Sequence, residues 1–213
     1  MAMDKLQELL ARYEKLGTCA DDIKRSAELM LDTYRKGGKI LVCGNGGSAA
    51  DAEHIVGELM KGFLLSRPIT EEQKDQFARA LGKADGEIFA KKLQRGIPAI
   101  SLCGENALSS AYSNDVDADY VYAQRVFGLG GEKDLLIGIS TSGNSKNVVN
   151  AVKTALALGI PCVALTGERE SELSHLATVT VRVPETETYK VQELHLPVYH
   201  YLCAEVEAMA FGE

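Results

Sequence analysis

The chain has no excess of basic residues, no long hydrophobic run, no Cys-x-x-Cys pair, and no internal repeat or low-complexity tract. Each absence removes a class of function. With 23 Lys and Arg against 30 Asp and Glu, the formal net charge is -7. Nothing is therefore available to neutralise a phosphate backbone, which argues against nucleic acid or an anionic membrane surface as the main partner. The first ten residues mix Asp4, Lys5 and Glu8 with apolar neighbours. That pattern supports neither a signal peptide nor a membrane span and predicts a cytoplasmic protein. Cys19, Cys43, Cys103, Cys162 and Cys203 are odd in number and scattered through mostly apolar patterns, which fits reduced buried thiols and gives a zinc-thiolate cluster little support.

What is present is enough for a full core: 213 residues, 46% of them hydrophobic, predict one domain over 1–213. Leu6, Leu9, Leu10, Tyr13 and Leu16, then Ile23, Ala27, Leu29, Met30 and Tyr34, recur at helical spacing and predict an opening helical hairpin over 1–37. Strand patterns follow at 39–44, 98–102, 134–139, 161–165 and 178–183, separated mostly by helical ones. Such alternation predicts an α/β fold with a five-stranded parallel sheet covered by helices on both faces. The segment 69–96 is charged and helix-prone, with Phe77, Leu81, Ile88, Phe89 and Leu93 in a loose stripe broken near Gly82 and Gly86. It reads as a helical insertion, either a lid or a surface hairpin. A final helix is predicted over 189–209, with Pro197 removing one backbone donor and kinking it.

Two strands end in turns suited to an anion. After 134–139 come Ser140, Thr141, Ser142, Gly143, Asn144 and Ser145, leading straight into a helical pattern. The hydroxyls, a tightly bending glycine and the free amides of a helix start form a phosphate cradle in outline; the plainer reading is a helix cap. The first strand ends likewise, in Gly44, Asn45, Gly46, Gly47 and Ser48. Two such turns at the carboxyl edge of a parallel sheet imply one crevice and a phosphorylated small molecule as ligand. A dinucleotide fingerprint fits poorly, because Ala49 stands where the third glycine belongs and no acidic residue closes the strand at 98–102.

Beside that crevice, His54 and Glu58 lie four apart on one helix face, which is ligand or acid-base spacing as well as the spacing of a surface ion pair. The last helix adds Gln192, Glu193, His195 and His200. Gln192 and His200 are about 12 Å apart along a straight axis, so a shared ion needs a long reach or a bend.

Taken together, GNGGS, His54-x-x-x-Glu58, Asn114-Asp115, ISTSGNS and Val191-Gln192-Glu193-Leu194-His195 with His200 resemble the phosphoheptose isomerases of the sugar isomerase (SIS) superfamily over nearly the whole chain. The resemblance implies a single SIS domain with a flavodoxin-like three-layer sandwich, and an isomerase that converts sedoheptulose 7-phosphate to D-glycero-D-manno-heptose 7-phosphate. It also implies one zinc per subunit and a homotetramer with sites at subunit interfaces. By motif, the metal ligands would be His54, Glu58, Gln192 and His200. Asn45, Gly46, Gly47, Ser48, Glu58, Asn114, Asp115, Ser140, Thr141, Ser142, Ser145 and Gln192 would hold the substrate. Glu58 is the expected base and His200 the acid.

Three positions depart from the family pattern. Lys61-Gly62 stands where Arg is frequent, so a phosphate or hydroxyl contact could fall to Lys61. Tyr189 replaces an Asp, and the 69–96 insertion is absent from shorter members. Two rival readings keep the same fold: a non-catalytic SIS adaptor for a replication initiator protein, and a sugar-phosphate sensor that needs the cradle without acid or base.

Overall fold

The computed structural model describes residues 4–104 and 106–212; residues 1–3, where the predicted hairpin segment begins, lie outside it. The chain runs α1 (Lys5–Arg12), α2 (Ala20–Arg35), β1 (Ile40–Gly44), α3 (Gly47–Met60), α4 (Glu71–Leu81), α5 (Lys83–Lys92), β2 (Ala99–Ser101), α6 (Asn106–Tyr112) and α7 (Val121–Leu129). It continues through β3 (Leu135–Ile139), α8 (Lys146–Ala157), β4 (Cys162–Thr166), α9 (Glu172–Leu176), β5 (Val179–Arg182) and α10 (Thr188–Phe211). All five predicted strands form, within a residue or two of their expected ends. They pair in parallel in the order β2-β1-β3-β4-β5.

The sheet is buried on both faces, which is why its central strands carry unbroken apolar runs. Alternate residues go to opposite sides. Ile40, Val42, Ile137 and Ile139 pack with α2, α3 and α10, whereas Leu41, Cys43 and Leu136 pack with α7 and α8. Strand order reverses around β1, since the chain leaves β1 for β2 on one side and returns to β3 on the other. The carboxyl ends of β1 and β3 therefore flank the switch point, where ligands of open parallel sheets bind.

Two predicted elements take a different form. The opening hairpin is looser than expected: a short 3-10 stretch over Glu14–Cys19 joins the helices, and α1 packs mainly on α10. Its amphipathic face is wide enough to cover the end of the last helix, and Leu9 is buried there. The insertion is a hairpin of α4 and α5 that reverses at Gly82 and is held by a stacked Phe77–Phe89 pair at 5.6 Å. Leu81, Ile88, Phe89 and Leu93 stay exposed. Its base is pinned: Pro68 and Gln94 form an antiparallel bridge, and Arg95 N donates to Arg67 O at 2.8 Å. α10 runs unbroken through Pro197.

The segment leaving α3 is fixed by a buried ion pair. Arg67 and Glu207 are both fully buried and meet at 2.6 Å. Glu207 also accepts from the backbone amides of Phe63, Leu64 and Leu65 at 2.7–3.0 Å. Burial alone would raise the carboxyl pKa, but these donors and Arg67 hold it below its ordinary value. The guanidinium in turn donates to Leu59 O at 2.7 Å, closing the end of α3. Such a pair contributes little net energy when intact, yet removing one partner strands a charge. Arg67→Ala should lower unfolding free energy by about 3–5 kcal/mol in urea titrations; a loss below about 1 kcal/mol would show that water reaches the site and relieves Glu207.

Candidate active site

The two glycine- and serine-rich turns sit side by side at the switch point and are tied together. Asn45 Nδ2 donates to Asn147 Oδ1 at 2.8 Å, and Asn147 Nδ2 donates back to Asn45 Oδ1 at 2.9 Å. Tyr122 OH adds a bond to Gly44 O at 2.6 Å and one to Asn45 Oδ1 at 3.3 Å. The hydrogen bonds hold the two turns against each other. The sequence pattern assigns no role to Asn147 or Tyr122, although Asn147 lies only two residues past Ser145.

Within the second turn, Ser140 Oγ lies 2.9 Å from Ser145 Oγ and 3.5 Å from Ser142 Oγ. Gly143 adopts φ 66°, a left-handed conformation that lets the chain reverse over them. Ser145 occupies the position before α8, yet its side chain makes no cap hydrogen bond. The plain capping reading therefore fails for Ser145: its hydroxyl joins the serine cluster in front of the helix start. A cleft of about 170 Å³ opens beside Thr141 and Ser142, lined also by Gly167, Arg169 and Thr188.

α3 and α10 run side by side in the same direction, and their contacts advance together. Gln192 lies over Gly47, where a Cβ would strike its carboxamide. One turn later Tyr199 OH donates to Asp51 Oδ1 at 3.3 Å, and beyond it the His54 and His200 rings meet edge-on at 5.0 Å. The eight residues from Gln192 to His200 match the seven from Gly47 to His54 at about 1.5 Å each. Gln192 is thus at the first turn and His200 at the other end of the seam.

His54 Nε2 and Glu58 Oε1 are 3.3 Å apart, and Lys61 Nζ lies 3.3 Å from Glu58 Oε2. The Lys61 ammonium, largely exposed, faces the Glu58 carboxylate. Burial and the neighbouring His54 lower the His200 pKa, so its imidazole is mainly neutral at pH 7. Asn114 and Asp115 are exposed, and Asn114 Nδ2 bonds Asp115 Oδ1 at 2.8 Å; among the described residues neither bonds to the crevice. His195 belongs to the core: it is fully buried, with Nε2 3.2 Å from Thr166 O. Tyr189 is exposed beside Lys190.

Among the described residues no three His, Cys, Asp or Glu side chains gather closely enough to hold a metal ion. The His54–Glu58 pair nonetheless has the right chemistry and span for two ligands. Bonds of about 2.0–2.1 Å at a tetrahedral angle place zinc ligands about 3.3 Å apart. His54 Nδ1, 3.0 Å from Tyr199 OH, has the outer partner that a metal-binding imidazole needs.

Comparison with known proteins agrees with this architecture. Two SIS domain models match residues 3–87 and 107–203, and strands from both stretches join the one sheet. A phosphoheptose isomerase from Akkermansia muciniphila is 34% identical over 200 residues, covering 94% of this chain and 92% of that protein. The chain belongs to the phosphoheptose isomerase family. Solved phosphoheptose isomerases from Neisseria gonorrhoeae and Francisella tularensis superpose with TM-scores of 0.73 and 0.71 at 30% and 28% identity. The first alignment covers 95% of this chain and 94% of the other, the second 96% and 98%.

Two measurements check the local assignments. Ser145→Ala should change stability by less than about 0.5 kcal/mol, because no cap is lost, while weakening inorganic phosphate binding several-fold by calorimetry. A stability loss near 1 kcal/mol with unchanged phosphate affinity would restore the capping role. Burial holds the His195 pKa down to about 4, against 6.5 for an ordinary imidazole. The unfolded chain therefore binds a proton first as pH falls, so His195 should cost about 3 kcal/mol of stability between pH 6.5 and 4. His195→Gln should flatten that part of the stability profile.

Proposed function

We propose that the chain converts sedoheptulose 7-phosphate to D-glycero-D-manno-heptose 7-phosphate. The observation that carries this reading is the seam of α3 and α10, which aligns His54, Glu58 and His200 on the same helix pair that borders the phosphate turns. An adaptor has no need of an aligned acid and base, and a sensor needs only the cradle.

In this reading the phosphate is held by the hydroxyls of Ser140, Thr141, Ser142 and Ser145 and the amide end of α8, with Asn45, Gly46, Gly47 and Ser48 closing the other side. Gln192 adds a carboxamide over the first turn. Glu58 removes the proton from C1 of the ketose as electrons move to the carbonyl oxygen at C2, giving an enediolate. The neutral imidazole of His200 donates a hydrogen bond to the developing charge, a task that does not require imidazolium. Return of the carbon-bound proton from Glu58 to C2 and transfer of the O1 proton to O2 give the aldose, so atoms and electrons balance without a co-reactant. The Lys61 ammonium faces the far oxygen of Glu58 at 3.3 Å and leaves Oε1 for the substrate.

One zinc per subunit would be held by His54 and Glu58, joined by His200; Gln192, which lies over Gly47 at the other end of the seam, would have to extend along it to complete the set. When bound, it would polarise the sugar carbonyl as a Lewis acid. We place the working enzyme in a homotetramer with its sites at subunit boundaries, where Asn114 and Asp115, exposed in the single chain, could serve a neighbour's crevice. No helix among the described residues is long and apolar enough to cross a membrane. The five unpaired cysteines suit the reducing cytoplasm.

Purified protein incubated with sedoheptulose 7-phosphate should produce an aldose, and chelator should suppress turnover that added zinc restores. Glu58→Gln should lower kcat by about 10²–10⁴-fold with little change in KM. Undiminished turnover in that variant would remove Glu58 from the role of base.

A further inference from the structure

Asp51, His54 and Glu58 recur at intervals of three and four on α3, so they project from one side of the helix. Tyr199, on α10, reaches between the first two. Its hydroxyl donates to Asp51 Oδ1 at 3.3 Å and lies 3.0 Å from His54 Nδ1. A phenol carries one proton, and where it goes decides the state of the histidine.

Asp51 Oδ2 is buried and has no hydrogen-bond partner among the described residues. If Tyr199 gave its proton to His54, Asp51 Oδ1 would lose the bond that it has, and the carboxylate would be buried without a donor. A buried unpaired carboxylate is the costlier arrangement. The proton therefore goes to Asp51, and the phenolic oxygen is left to accept from His54 Nδ1–H.

We infer that Asp51 and Tyr199 are positioning residues that fix His54 as its Nδ1–H tautomer and turn the Nε2 lone pair on Glu58. The inference rests on reading His54 and Glu58 as groups of the reacting site. Its consequence is chemical. In the opposite tautomer, Nε2–H would donate to Glu58 Oε1 across the 3.3 Å gap, occupying the carboxylate oxygen that a base or a metal ligand needs. In the fixed tautomer two electron pairs face each other, so the gap attracts a cation or an acidic proton. The Tyr199 ring is almost fully buried and meets the His54 and His200 rings edge-on at 5.4 and 5.1 Å, which holds the hydroxyl in place.

The test reads the tautomer directly, by long-range proton–nitrogen correlation spectra of the metal-free protein at pH 8 without substrate. His54 should show a protonated Nδ1 and a bare Nε2. Tyr199→Phe, which keeps the ring and deletes the hydroxyl, should shift His54 predominantly to Nε2–H. Asp51→Ala should do the same with the tyrosine intact, because the phenol is then free to donate to Nδ1. Thermal melts confirm that each variant is folded. In the folded Tyr199→Phe protein, zinc affinity measured against a chromophoric chelator should fall by tenfold or more, and kcat should fall about tenfold with KM changed less than twofold.

A wild-type His54 protonated at Nε2, or a tautomer unchanged in both variants, would overturn the inference. The expected tautomer in a protein that turns over no heptose phosphate would support the relay and overturn the isomerase assignment instead, so the two fail separately.

Discussion

The site depends on the register between α3 and α10, and that register is fixed by the buried Arg67–Glu207 pair. Arg67 holds the last carbonyls of α3 through Leu59 O and Glu58 O, while Glu207, near the end of α10, gathers three amides of the segment that leaves α3. Slippage of either helix by one turn would break charge-assisted bonds between fully buried groups. An apolar seam alone would allow several registers, since Ile55, Leu59, Val198 and Leu202 offer similar surfaces. The ion pair singles out one, and with it the pairings of Gly47 with Gln192, Asp51 with Tyr199, and His54 with His200.

The same register sets how His54, Glu58 and His200 lie relative to the serine- and glycine-rich turns. α3 begins in the first turn, so its axis starts at the switch point and leads away from it. A ligand anchored by phosphate at the amide ends of α3 and α8 extends along α3 toward His54 and Glu58. About two to three helical turns separate Ser48 from those residues, about 9 Å along the axis to His54 and about 15 Å to Glu58, so a phosphorylated chain anchored at the turns points its far end toward them. A distant anchor of this kind lets binding energy orient the carbonyl end without touching it.

Much of this was legible in the sequence because it is local. Strand runs, the turns ending in Gly46-Gly47 and Gly143, and the four-residue spacing of His54 and Glu58 are each carried by a few consecutive residues, and the sheet follows from alternation of elements. Pairings between distant positions were not legible. Nothing near Asn147 points to Asn45, 102 residues away, and nothing near Glu207 points to the amides of Phe63 and Leu64. Buried Arg67 and Glu207 look in sequence like any surface charges. Asp51 had a local signal, three residues before His54, but its meaning depends on Tyr199, which arrives from the last helix. The contact of Lys61 with Glu58 was open in a similar way, since it depends on the path by which the chain leaves α3.

The balance of charge in the site explains why this register has value beyond stability. Lys61 at Glu58 Oε2 and the lone pair of His54 at Oε1 act on opposite oxygens of one carboxylate. One side occupies an oxygen with a cation, and the other keeps an acceptor position open. If both neighbours were donors, both oxygens of Glu58 would be occupied by hydrogen bonds and neither would be free to accept from the substrate. His200, neutral and across from His54, supplies the donor that the carboxylate does not receive. The asymmetry arises from which helix each neighbour comes from, so the chemistry of the pair and the packing of α3 on α10 are one constraint.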